Sequence, residues 1–448
     1  MTGQVPDWVR HAVCWQVYPL GATGAEREEL PPGVGPVPRL RGLQDWLDHL
    51  LELGCNGLAL GPVFASQTHG YDTVDHFRVD RRLGTEQDLV DLVAACHRRG
   101  VRVLLDGVFN HVGRDFPRFR QVLEECPDSP AASWFHIDSS RAGPDGFTYR
   151  DFEGHAALVA LDHGNPEVVD HVVRVMTYWC DRGIDAWRLD AAYAVPPAFW
   201  RAVLSRVRER HPDVWVVGEV IHGDYTGYVA DSGVDSVTQY ELWKAVWSSL
   251  NDRNLFELAH ALRSHGEMAR RFLPQTFVGN HDVTRIASRL TDPRHLPIAV
   301  ALLCTLPGVP TLYYGDEWAL RGVKEDRPGG DDAVRPPLPA GTEPPGPEAA
   351  AVADLHRQLI GVRRRHPWLV DATVEAPDVL TNEVLAVRLT SGPHTLAVVL
   401  DVGDAAAEVV LPFPGGSVAA GSGSAHPDGG RTTIRVPAHS FTLVGTSG

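Results

Sequence analysis

The sequence predicts an α/β protein built on a (β/α)8 TIM barrel, with a short inserted lobe after the third strand and a C-terminal antiparallel β domain. Short apolar runs alternate with amphipathic helical stretches from the first residues to about Tyr314. Eight such runs can be read, and eight parallel strands are the number that closes into a barrel. The alternation is interrupted once by a long segment rich in proline and glycine, and it gives way to period-two strands near the C-terminus.

The strand candidates are apolar runs bounded by turn residues or by helical stretches. In chain order they read HAVCWQVYP, CNGLALGPVF, VRVLLDGVF, DAWRLDAA, VWVVGEV, VDSVTQY, QTFVGNHD and PTLYYGDE. The helices between them have recognisable ends. Thr85 is a predicted N-cap whose helix stops at Gly100, and Asn165 is a predicted N-cap followed by Pro166 at the first helical position.

The chain divides into three predicted parts. Residues 1–110 and 162–366 form the barrel, residues 111–161 the inserted lobe, and residues 367–448 a C-terminal β-sandwich. The run EDRPGGDDAVRPPLPAGTEPPGPE follows the eighth strand and is predicted to be a long surface loop. Because it lies on the side of the barrel where the βα loops gather, we expect it to border a functional site.

The composition is typical of a globular protein and excludes several partners. The 448 residues are 44% hydrophobic and 22% charged, and no apolar stretch is long enough to span a membrane. The net charge of −16 argues against nucleic acid or an anionic membrane surface as a partner, since both require clustered positive charge. The N-terminal residues do not form a secretion signal, so we predict a cytoplasmic location.

The six cysteines show neither disulfide nor zinc spacing. Most of them lie in apolar or helical surroundings, where cysteine behaves as a small buried hydrophobe. They are Cys14, Cys55, Cys96, Cys126, Cys180 and Cys304.

Acidic side chains stand at the carboxyl ends of the predicted strands. Asp106 ends the third strand, Asp190 the fourth and Glu219 the fifth. His281 and Asp282 end the seventh. In a parallel barrel these positions converge on one mouth, where the βα loops hold reactive groups. Each acid alone is more simply a cap of the next helix, but like charges clustered in one cleft repel and require a function.

Two of these acids are predicted to differ in protonation state. Residues two apart on a strand share a face, so the Arg188 guanidinium is expected to lie beside Asp190 and to lower the pKa of its carboxyl. The alternative is a buried salt bridge that only ties two strands together. Glu219 follows the apolar run VWVVG, which is expected to raise its pKa. One ionised and one protonated carboxyl, about 5 to 5.5 Å apart, is the arrangement that cleaves glycosidic bonds with retention.

The sequence contains four segments that resemble, in order and in spacing, the four short sequence regions of the α-amylase superfamily. They are DGVFNH, GIDAWRLDAA, GEV and FVGNHD. THGYDTVDHFRVDRRLGT and GVPTLYYGDE resemble the family segments at the second and eighth strands. The likeness runs from about Trp15 to about Pro337 and so covers the barrel. Within the superfamily, WCDRGIDAWRLD and GEVIH look most like the neopullulanase and cyclomaltodextrinase branch, which acts on small or cyclic α-glucans.

The resemblance implies catalytic roles for the matching acids. Asp190 would be the nucleophile that forms a covalent glycosyl-enzyme, and Glu219 the general acid/base. Asp282 would be a third carboxylate that binds the sugar hydroxyls as the ring distorts. Asp106 would be structural and would orient Arg188.

The resemblance also implies substrate-binding positions. Residues around the reacting sugar would be Arg188, His111 and His281, with Tyr71 as a stacking platform. Tyr193 and His222 would shape the leaving-group side. Asp332 and Arg335 would bind the next sugar, and a solvated charge run is the alternative for these two.

The resemblance implies an α-glucan oligosaccharide as the partner. It does not by itself decide whether a metal ion binds or whether the chain forms a dimer. Many family members have a calcium-binding acid where this sequence has Ala160, whereas Asn110 matches another usual calcium contact. One such ligand does not make a calcium site, so we predict no cofactor and no required metal. The related branch carries an extra N-terminal β domain that builds a dimer over the active site, and this chain begins at the first barrel strand. Whether it forms a homodimer is left open.

Four functions are weighed. The leading one is a retaining hydrolase of α-glucosidic bonds, with α-1,4 bonds expected, in short or cyclic malto-oligosaccharides. A transglycosylase, or an isomerase of the trehalose-forming kind, would pass the same intermediate to a sugar. A non-catalytic carbohydrate-binding protein would have lost catalytic acids, and all three are present. A metal-dependent hydrolase is suggested by Asp106, His111 and Asp115, but no third histidine completes a set.

Overall fold

The barrel is built from eight parallel strands in the residues that the computed structural model describes, which are 5–125, 129–327, 329–414 and 416–446. The strands are β1 (Cys14–Val17), β2 (Gly57–Leu60), β3 (Arg102–Gly107), β4 (Ala186–Leu189), β5 (Trp215–Gly218), β6 (Ser236–Val237), β7 (Gln275–Thr276) and β8 (Val309–Tyr313). Their spatial order is β6-β5-β4-β3-β2-β1-β8-β7. A parallel bridge between Thr238 and Gln275 joins the two edges, which closes the sheet and confirms the predicted barrel.

Helices alternate with the barrel strands. The α-helices span Pro19–Ala22, Leu47–Glu52, Glu86–Arg98, Pro117–Glu125, Pro166–Cys180, Pro197–Arg210, Tyr225–Ser232, Tyr240–Asp252, Phe256–Ala269, Ile286–Arg289, Leu296–Thr305 and Pro347–Arg365. The predicted helix starts are confirmed: the Thr85 side chain accepts from the Asp88 backbone in a capping box, and Asn165 caps the helix that begins at Pro166. Gly100 has a φ of 73°, a conformation that favours glycine where a helix stops.

The barrel interior changes from apolar to charged along the central strands. Ala186 of β4 is in register with Leu104 of β3 and Trp215 of β5, and all three are buried in one apolar cluster. Two residues further on, Arg188 of β4 is in register with Asp106 of β3. Because residues two apart share a strand face, the charged layer sits directly above the apolar one. The apolar layer therefore packs beneath the charged groups and supports them at the carboxyl ends of the strands.

An inserted lobe follows β3, as predicted. It contains a three-stranded antiparallel sheet and a short hairpin in addition to the helix Pro117–Glu125. The sheet is formed by His111–Gly113, Asp151–Phe152 and His155–Ala160, and the hairpin by Ile137–Asp138 and Thr148–Tyr149. A second excursion from the barrel, the hairpin of Phe64–Ser66 with Thr73–Val79, follows β2.

The C-terminal part is an antiparallel β domain, as predicted. Its strands are β9 (Thr373–Val374), β10 (Val379–Leu380), β11 (Val384–Ser391), β12 (His394–Asp401), β13 (Ala407–Leu411), β14 (Ser417–Gly421), β15 (Ser424–Asp428), β16 (Arg431–Val436) and β17 (Ser440–Gly445). One sheet has the order β9-β11-β12-β17-β14, with β10 beside β11, and the other has the order β13-β16-β15. Val399 and Ile434, one from each sheet, are buried in a shared apolar cluster. The division of the whole chain into three parts by residue number stays our proposal.

The loop after β8, the apolar character of the helices and the state of the cysteines were also predicted from the sequence. The loop after β8 has little regular structure, and its described part contains the 3-10 turn Asp332–Val334. Among the described helices, none combines the length and the apolar character that crossing a membrane requires. The described cysteines are buried and unpaired, as predicted, and Cys126 lies outside the described residues.

Candidate active site

Arg188 holds three carboxyl groups at the mouth of the barrel. Its Nη1 donates to both oxygens of Asp106 at 2.8 and 2.7 Å and lies 3.3 Å from Oδ1 of Asp190. Its Nη2 lies 2.6 Å from Oε1 of Glu219. All four residues are buried. One guanidinium therefore fixes the acids at the ends of β3, β4 and β5 relative to one another and neutralises part of their charge.

A cleft gives access to this group of acids. It has a volume of about 440 Å³. Its lining includes Tyr71, His111, Phe152, Glu153, Leu158, Asp190, Tyr193, Glu219, Ile221, Tyr240, Trp243, Asp282 and Lys324. Six of the sequence-predicted site residues thus meet at one cleft, and Arg188 lies behind its wall. The alternative, a buried salt bridge of Arg188 and Asp190 that only links strands, does not explain why the carboxyl groups of Asp190 and Glu219 line an open cleft.

The pKa of Asp190 is raised well above its usual range, which is opposite to the predicted direction. Burial is the largest cause and the charge of Glu219 adds to it, whereas the Arg188 guanidinium only partly offsets the two. The predicted contact of Asp106 with Arg188 is present, but the pKa prediction considered Arg188 and Asp190 alone, whereas the guanidinium is shared with Asp106 and Glu219 and leaves less of its field for Asp190.

The raised pKa of Asp190 predicts a stability effect that depends on pH. A carboxyl with a higher pKa in the folded protein contributes stability below its unfolded value of about 3.8, and the contribution is lost as pH rises through the folded value. Asp190→Asn removes this titration, so at about pH 7 the variant is expected to unfold at a higher temperature than the parent, with a smaller gap at about pH 5. Thermal unfolding followed by circular dichroism measures both gaps. A variant that is less stable at about pH 7 would contradict the inference.

Glu219 is held by three polar groups. Arg188 and the Tyr240 hydroxyl, which donates at 3.1 Å, contact Oε1, and the Ala191 backbone N–H donates to Oε2 at 2.9 Å. This corrects the predicted apolar environment, because the side chain leaves the apolar strand and turns into the charged layer. Ala191 has a φ of 44°, a conformation that residues with a side chain rarely adopt and that clusters at functional sites.

Tyr240→Phe is expected to lower kcat by about tenfold while leaving the fold intact. The Tyr240 hydroxyl donates to Glu219 and accepts from Asn280 Nδ2 at 2.9 Å, and a typical intramolecular hydrogen bond contributes about 0.5 to 1.5 kcal/mol, which is up to about tenfold in rate. Steady-state kinetics with an activated α-glucoside measures the effect. Tyr178→Phe is the matched control, because that hydroxyl also donates to a glutamate, Glu86, but outside the cleft. An unchanged kcat in Tyr240→Phe would remove this residue from the site.

Asp282 is held ionised on the opposite wall. Arg335 Nη2 donates to its Oδ1 at 2.8 Å, and His281 Nε2 lies 2.9 Å from its Oδ2. Burial raises the pKa of Asp282, but His281, Arg335 and Arg188 together outweigh it, so the pKa lies well below the usual range. Asp282 is thus a fixed negative charge that can accept hydrogen bonds from sugar hydroxyls.

Tyr71 and His281 form a layered support between Asp282 and Asp106. Their rings stack with centroids 5.5 Å apart, and the Tyr71 hydroxyl contacts Nε2 of His281 and donates to Asp106 Oδ2 at 3.1 Å. Gln16 Nε2 lies 3.3 Å from the other ring nitrogen of His281. Tyr71 lines the cleft while His281 is buried behind it. Tyr71 therefore lies where a sugar platform is predicted, and His281 contacts both Tyr71 and Asp282; these roles in sugar binding stay predictions.

His111 offers a free polar atom in the cleft wall. Its Nδ1 lies 3.0 Å from the Asn110 amide nitrogen and its ring stacks on Phe152 at 4.7 Å, whereas its buried Nε2 has no hydrogen-bond partner. Burial lowers the pKa of His111 to about 3, so the imidazole is neutral. An unpartnered buried nitrogen is costly unless a ligand satisfies it, which fits the predicted contact with a sugar hydroxyl.

The residues predicted to bind further sugars are only partly brought together. Arg335 reaches the site, where it binds Asp282 and lies 3.1 Å from Asp331. Asp332 does not reach the cleft lining, because its carboxylate pairs with Arg27. Asp332 is therefore not placed to bind the next sugar as predicted, and the acid beside Arg335 is Asp331, one residue earlier in the same loop. The loop after β8 borders the site through Arg335, as expected.

The part of the cleft predicted to hold the leaving sugar contains residues that the sequence predicted and others that it did not. The Tyr193 hydroxyl donates to Glu153 at 2.7 Å across the cleft, so the inserted lobe and the loop after β4 meet there. His222 is exposed and lines a neighbouring cavity of about 410 Å³. Ile221, Tyr240 and Trp243 line both spaces. Glu153 and Trp243 were not predicted.

Tyr240 is the missed residue that a sequence signal could have found. It stands at the end of VDSVTQY, three residues after β6, where the rule that strand ends carry functional groups applies as it does to the other strands. Phe152 and Glu153 carry no such signal, since they lie in an inserted lobe without periodic pattern. Only the packing of that lobe brings them to the cleft.

The calcium contacts known from the resembling family are not assembled here. The Asn110 amide is turned to His111, and Ala160 has no side-chain oxygen. Calcium takes about six to eight oxygen ligands, so this donor set does not fit it, and we derive no catalytic step through a metal. That no metal is required for catalysis stays a prediction.

Known proteins resemble this chain in sequence and in fold. A family model described as the α-amylase catalytic domain matches residues 33–354. A cyclomaltodextrinase from Geobacillus thermopakistaniensis is 30% identical over 437 residues, covering 92% of this chain and 72% of that protein. A cyclomaltodextrinase from a Bacillus species is 34% identical over 342 residues, covering 71% of this chain and 61% of that protein. A cyclic α-maltosyl-(1→6)-maltose hydrolase from Arthrobacter globiformis matches with a TM-score of 0.83 and 28% identity over 99% of this chain and 100% of that chain. The chain thus spans 61 to 72% of the length of the two curated relatives.

Proposed function

Because this chain belongs to the α-amylase catalytic-domain family, we propose that it is a retaining glycosidase that cleaves α-glucosidic bonds, with α-1,4 bonds expected, in short or cyclic malto-oligosaccharides. The observation that carries this proposal is that Asp190 and Glu219 face one open cleft within reach of one guanidinium. Family membership supports the class of reaction. The two relatives named cyclomaltodextrinase support small and cyclic substrates.

In the first chemical step, Glu219 gives its proton to the glycosidic oxygen while an Asp190 oxygen attacks the anomeric carbon and displaces the leaving sugar. The glycosidic oxygen of the bound substrate is the acceptor of the proton in this step. Arg188 stays within 3.3 Å of Asp190 and stabilises the carboxylate that attacks. In the second step, Glu219 takes a proton from water, and the hydroxide oxygen replaces Asp190 on the anomeric carbon.

Asp282 contributes charge and orientation. The Arg335 and His281 contacts keep it ionised and aimed at the cleft, so it can accept from sugar hydroxyls as the ring flattens and becomes positively charged. Tyr71 supplies an aromatic face for the C–H face of the same sugar. The unpartnered nitrogen of His111 offers an additional acceptor or donor to a hydroxyl.

The proposal is tested with a substrate panel. Purified protein is incubated with maltose, maltotriose, panose, pullulan, starch and cyclodextrins, and the products are separated by thin-layer chromatography. We expect maltotriose and cyclodextrins to be cleaved faster than starch, because the cleft of about 440 Å³ is bounded by the inserted lobe. Asp190→Asn, assayed in parallel, separates the protein's own activity from a contaminant. No cleavage of any α-glucoside by the folded protein would overturn the proposal.

Transfer to a sugar is the second candidate function. It is favoured by the second cavity, which shares Ile221, Tyr240 and Trp243 with the cleft, since an acceptor sugar needs a bounded site next to the glycosyl-enzyme. Time courses with maltotriose distinguish the two functions. Products longer than maltotriose, or rearranged disaccharides, would accumulate early if transfer dominates, whereas hydrolysis gives only shorter sugars.

We also propose that the protein works in the cytoplasm. The described cysteines are unpaired and buried, which is typical of proteins from a reducing compartment. Fractionation of cells that produce the full-length protein, with detection by an antibody, tests this location.

A further inference from the structure

A cluster of two histidines and an aspartate lies between the barrel and the C-terminal β domain. His295 ends a 3-10 turn just before the helix Leu296–Thr305, and His439 immediately precedes β17. Asp292 stands at the start of the same turn as His295. One ligand atom from each of these three residues lies within 4.8 Å of the others. None of the three lines the cleft, so the cluster is separate from the proposed active site.

The distances between the ring nitrogens fit a shared metal ion. His295 Nε2 lies 3.1 Å from His439 Nδ1, and the latter lies 3.8 Å from Asp292 Oδ2. Two nitrogens bound at about 2.0 Å to a tetrahedral zinc ion lie about 3.3 Å apart, which is close to the observed separation. The Asp292 side chain is a quarter exposed, and its Oδ2 would be shared between the ion and Arg294.

The two facing ring nitrogens of His295 and His439 differ in their hydrogen-bond partners according to where each ring carries its proton. The Nε2 of His439 is 2.9 Å from Asp404 Oδ1, a carboxylate oxygen that accepts its proton, so Nδ1 of the same ring faces His295. If His295 carries its proton on Nε2, its buried Nδ1 remains without a hydrogen-bond partner. If the proton is on Nδ1, where the Leu250 backbone carbonyl can accept it, the Nε2 lone pair of His295 faces Nδ1 of His439 at 3.1 Å. A cation between the two facing nitrogens, either a metal ion or a shared proton, satisfies both, and the zinc titration below separates the two cases.

The surrounding residues orient the ligands as they do in known metal sites. A carboxylate that accepts from the non-ligating nitrogen fixes the ring and raises its basicity, and Asp404 takes that place for His439. Arg253, which donates to Asp404 Oδ2 at 3.0 Å, holds that carboxylate in turn. Arg294 donates to Asp292 Oδ2 at 2.6 Å and fixes the third ligand. His439 has a φ of 50°, so its backbone is held in a conformation that a histidine rarely adopts.

We propose that Asp292, His295 and His439 bind one zinc ion, with water as the fourth ligand, and that this ion joins the barrel to the C-terminal β domain. Two imidazoles and one carboxylate are ligands that zinc binds well, and calcium does not favour nitrogen. The ion is structural in this account. It adds stability by binding the folded protein and takes no part in glycosidic cleavage.

Zinc binding by the full-length protein is the test. Protein dialysed against chelator and then against buffer is titrated with Zn²⁺, and bound metal is measured by mass spectrometry of the element. Co²⁺ titration in parallel reports tetrahedral nitrogen ligation by visible absorption. We expect one ion per chain and a rise in Tm with added Zn²⁺. In His439→Asn, which suits the left-handed backbone but lacks the imidazole, both effects should be lost. Asp404→Asn should weaken binding by about 10- to 100-fold.

The matched control is His426→Ala, an exposed histidine of the same β domain that should keep full binding. Chelated protein at 25 °C should keep the parent kcat, which separates this inference from the proposed function. The inference is overturned if the parent protein binds no Zn²⁺ at micromolar concentration, or if His439→Asn binds it as the parent does. If His439→Asn fails to fold, Asp404→Asn decides by its affinity alone, and an affinity equal to that of the parent also overturns the inference.

Discussion

Asp190→Asn is expected to lower kcat by about 10⁴-fold or more on every α-glucoside that the parent protein cleaves. Asparagine keeps the size of the side chain and can still accept from Arg188, but its amide does not attack the anomeric carbon. The cleft lining is otherwise unchanged, so binding of the substrate should persist. Single-turnover kinetics with maltotriose measures the chemical step, and calorimetry with the same sugar measures binding.

The control for this variant is Asp231→Asn, an exposed aspartate far from the cleft lining whose carboxylate lies 3.9 Å from Arg201. It should keep the parent rate, because exposed ion pairs contribute little. A rate for Asp190→Asn within about tenfold of the parent would exclude Asp190 as the nucleophile. Loss of sugar binding together with activity would instead show that the substitution disturbs the cleft.

Glu219→Gln is expected to lower kcat by about 10²- to 10⁴-fold on malto-oligosaccharides but to spare the first step with an α-glycosyl fluoride. Fluoride leaves without a proton, so the covalent intermediate still forms. Its breakdown is slow because glutamine takes no proton from water. Added azide is a nucleophile that needs no general base, so it should restore turnover and give an α-glycosyl azide. Product analysis by mass spectrometry and NMR measures both.

Glu153→Gln is the matched control, since Glu153 is another glutamate on the cleft wall and accepts from Tyr193. Azide should not change its rate. Rescue of Glu153→Gln by azide, together with no rescue of Glu219→Gln, would move the acid/base role from one glutamate to the other.

The parts of the site that follow strand periodicity were predictable from the sequence. Asp106 and Arg188 share a register level because each lies two residues beyond an apolar interior residue of its strand. Asp190 and Glu219 come directly after β4 and β5, so their arrival at one mouth follows from closure of the barrel alone. Closure, in turn, is a property of the whole alternating pattern and not of one segment.

The parts that depend on tertiary packing were not predictable. The pKa of Asp190 was assigned the wrong direction because a pair on one strand was considered without the third and fourth charges that the barrel brings to it. Asp331 replaces Asp332 beside Arg335 because a surface loop has no period that fixes which side chain turns inward. The hydrogen bonds to Glu219 from Tyr240 and from the strained Ala191 backbone arise from separate βα loops.

The side chain that becomes bonded to the sugar is the nucleophile, which we propose is Asp190. A fluorinated α-glycosyl fluoride that reacts quickly but is released slowly should trap the intermediate on the parent protein, and proteolysis with mass spectrometry locates the label. We expect the label on the peptide that contains Asp190, with the mass of one glycosyl unit and in one copy per chain. A label on Glu219 or on any other residue, or turnover of the reagent with an inverted first product and no label, would contradict the account.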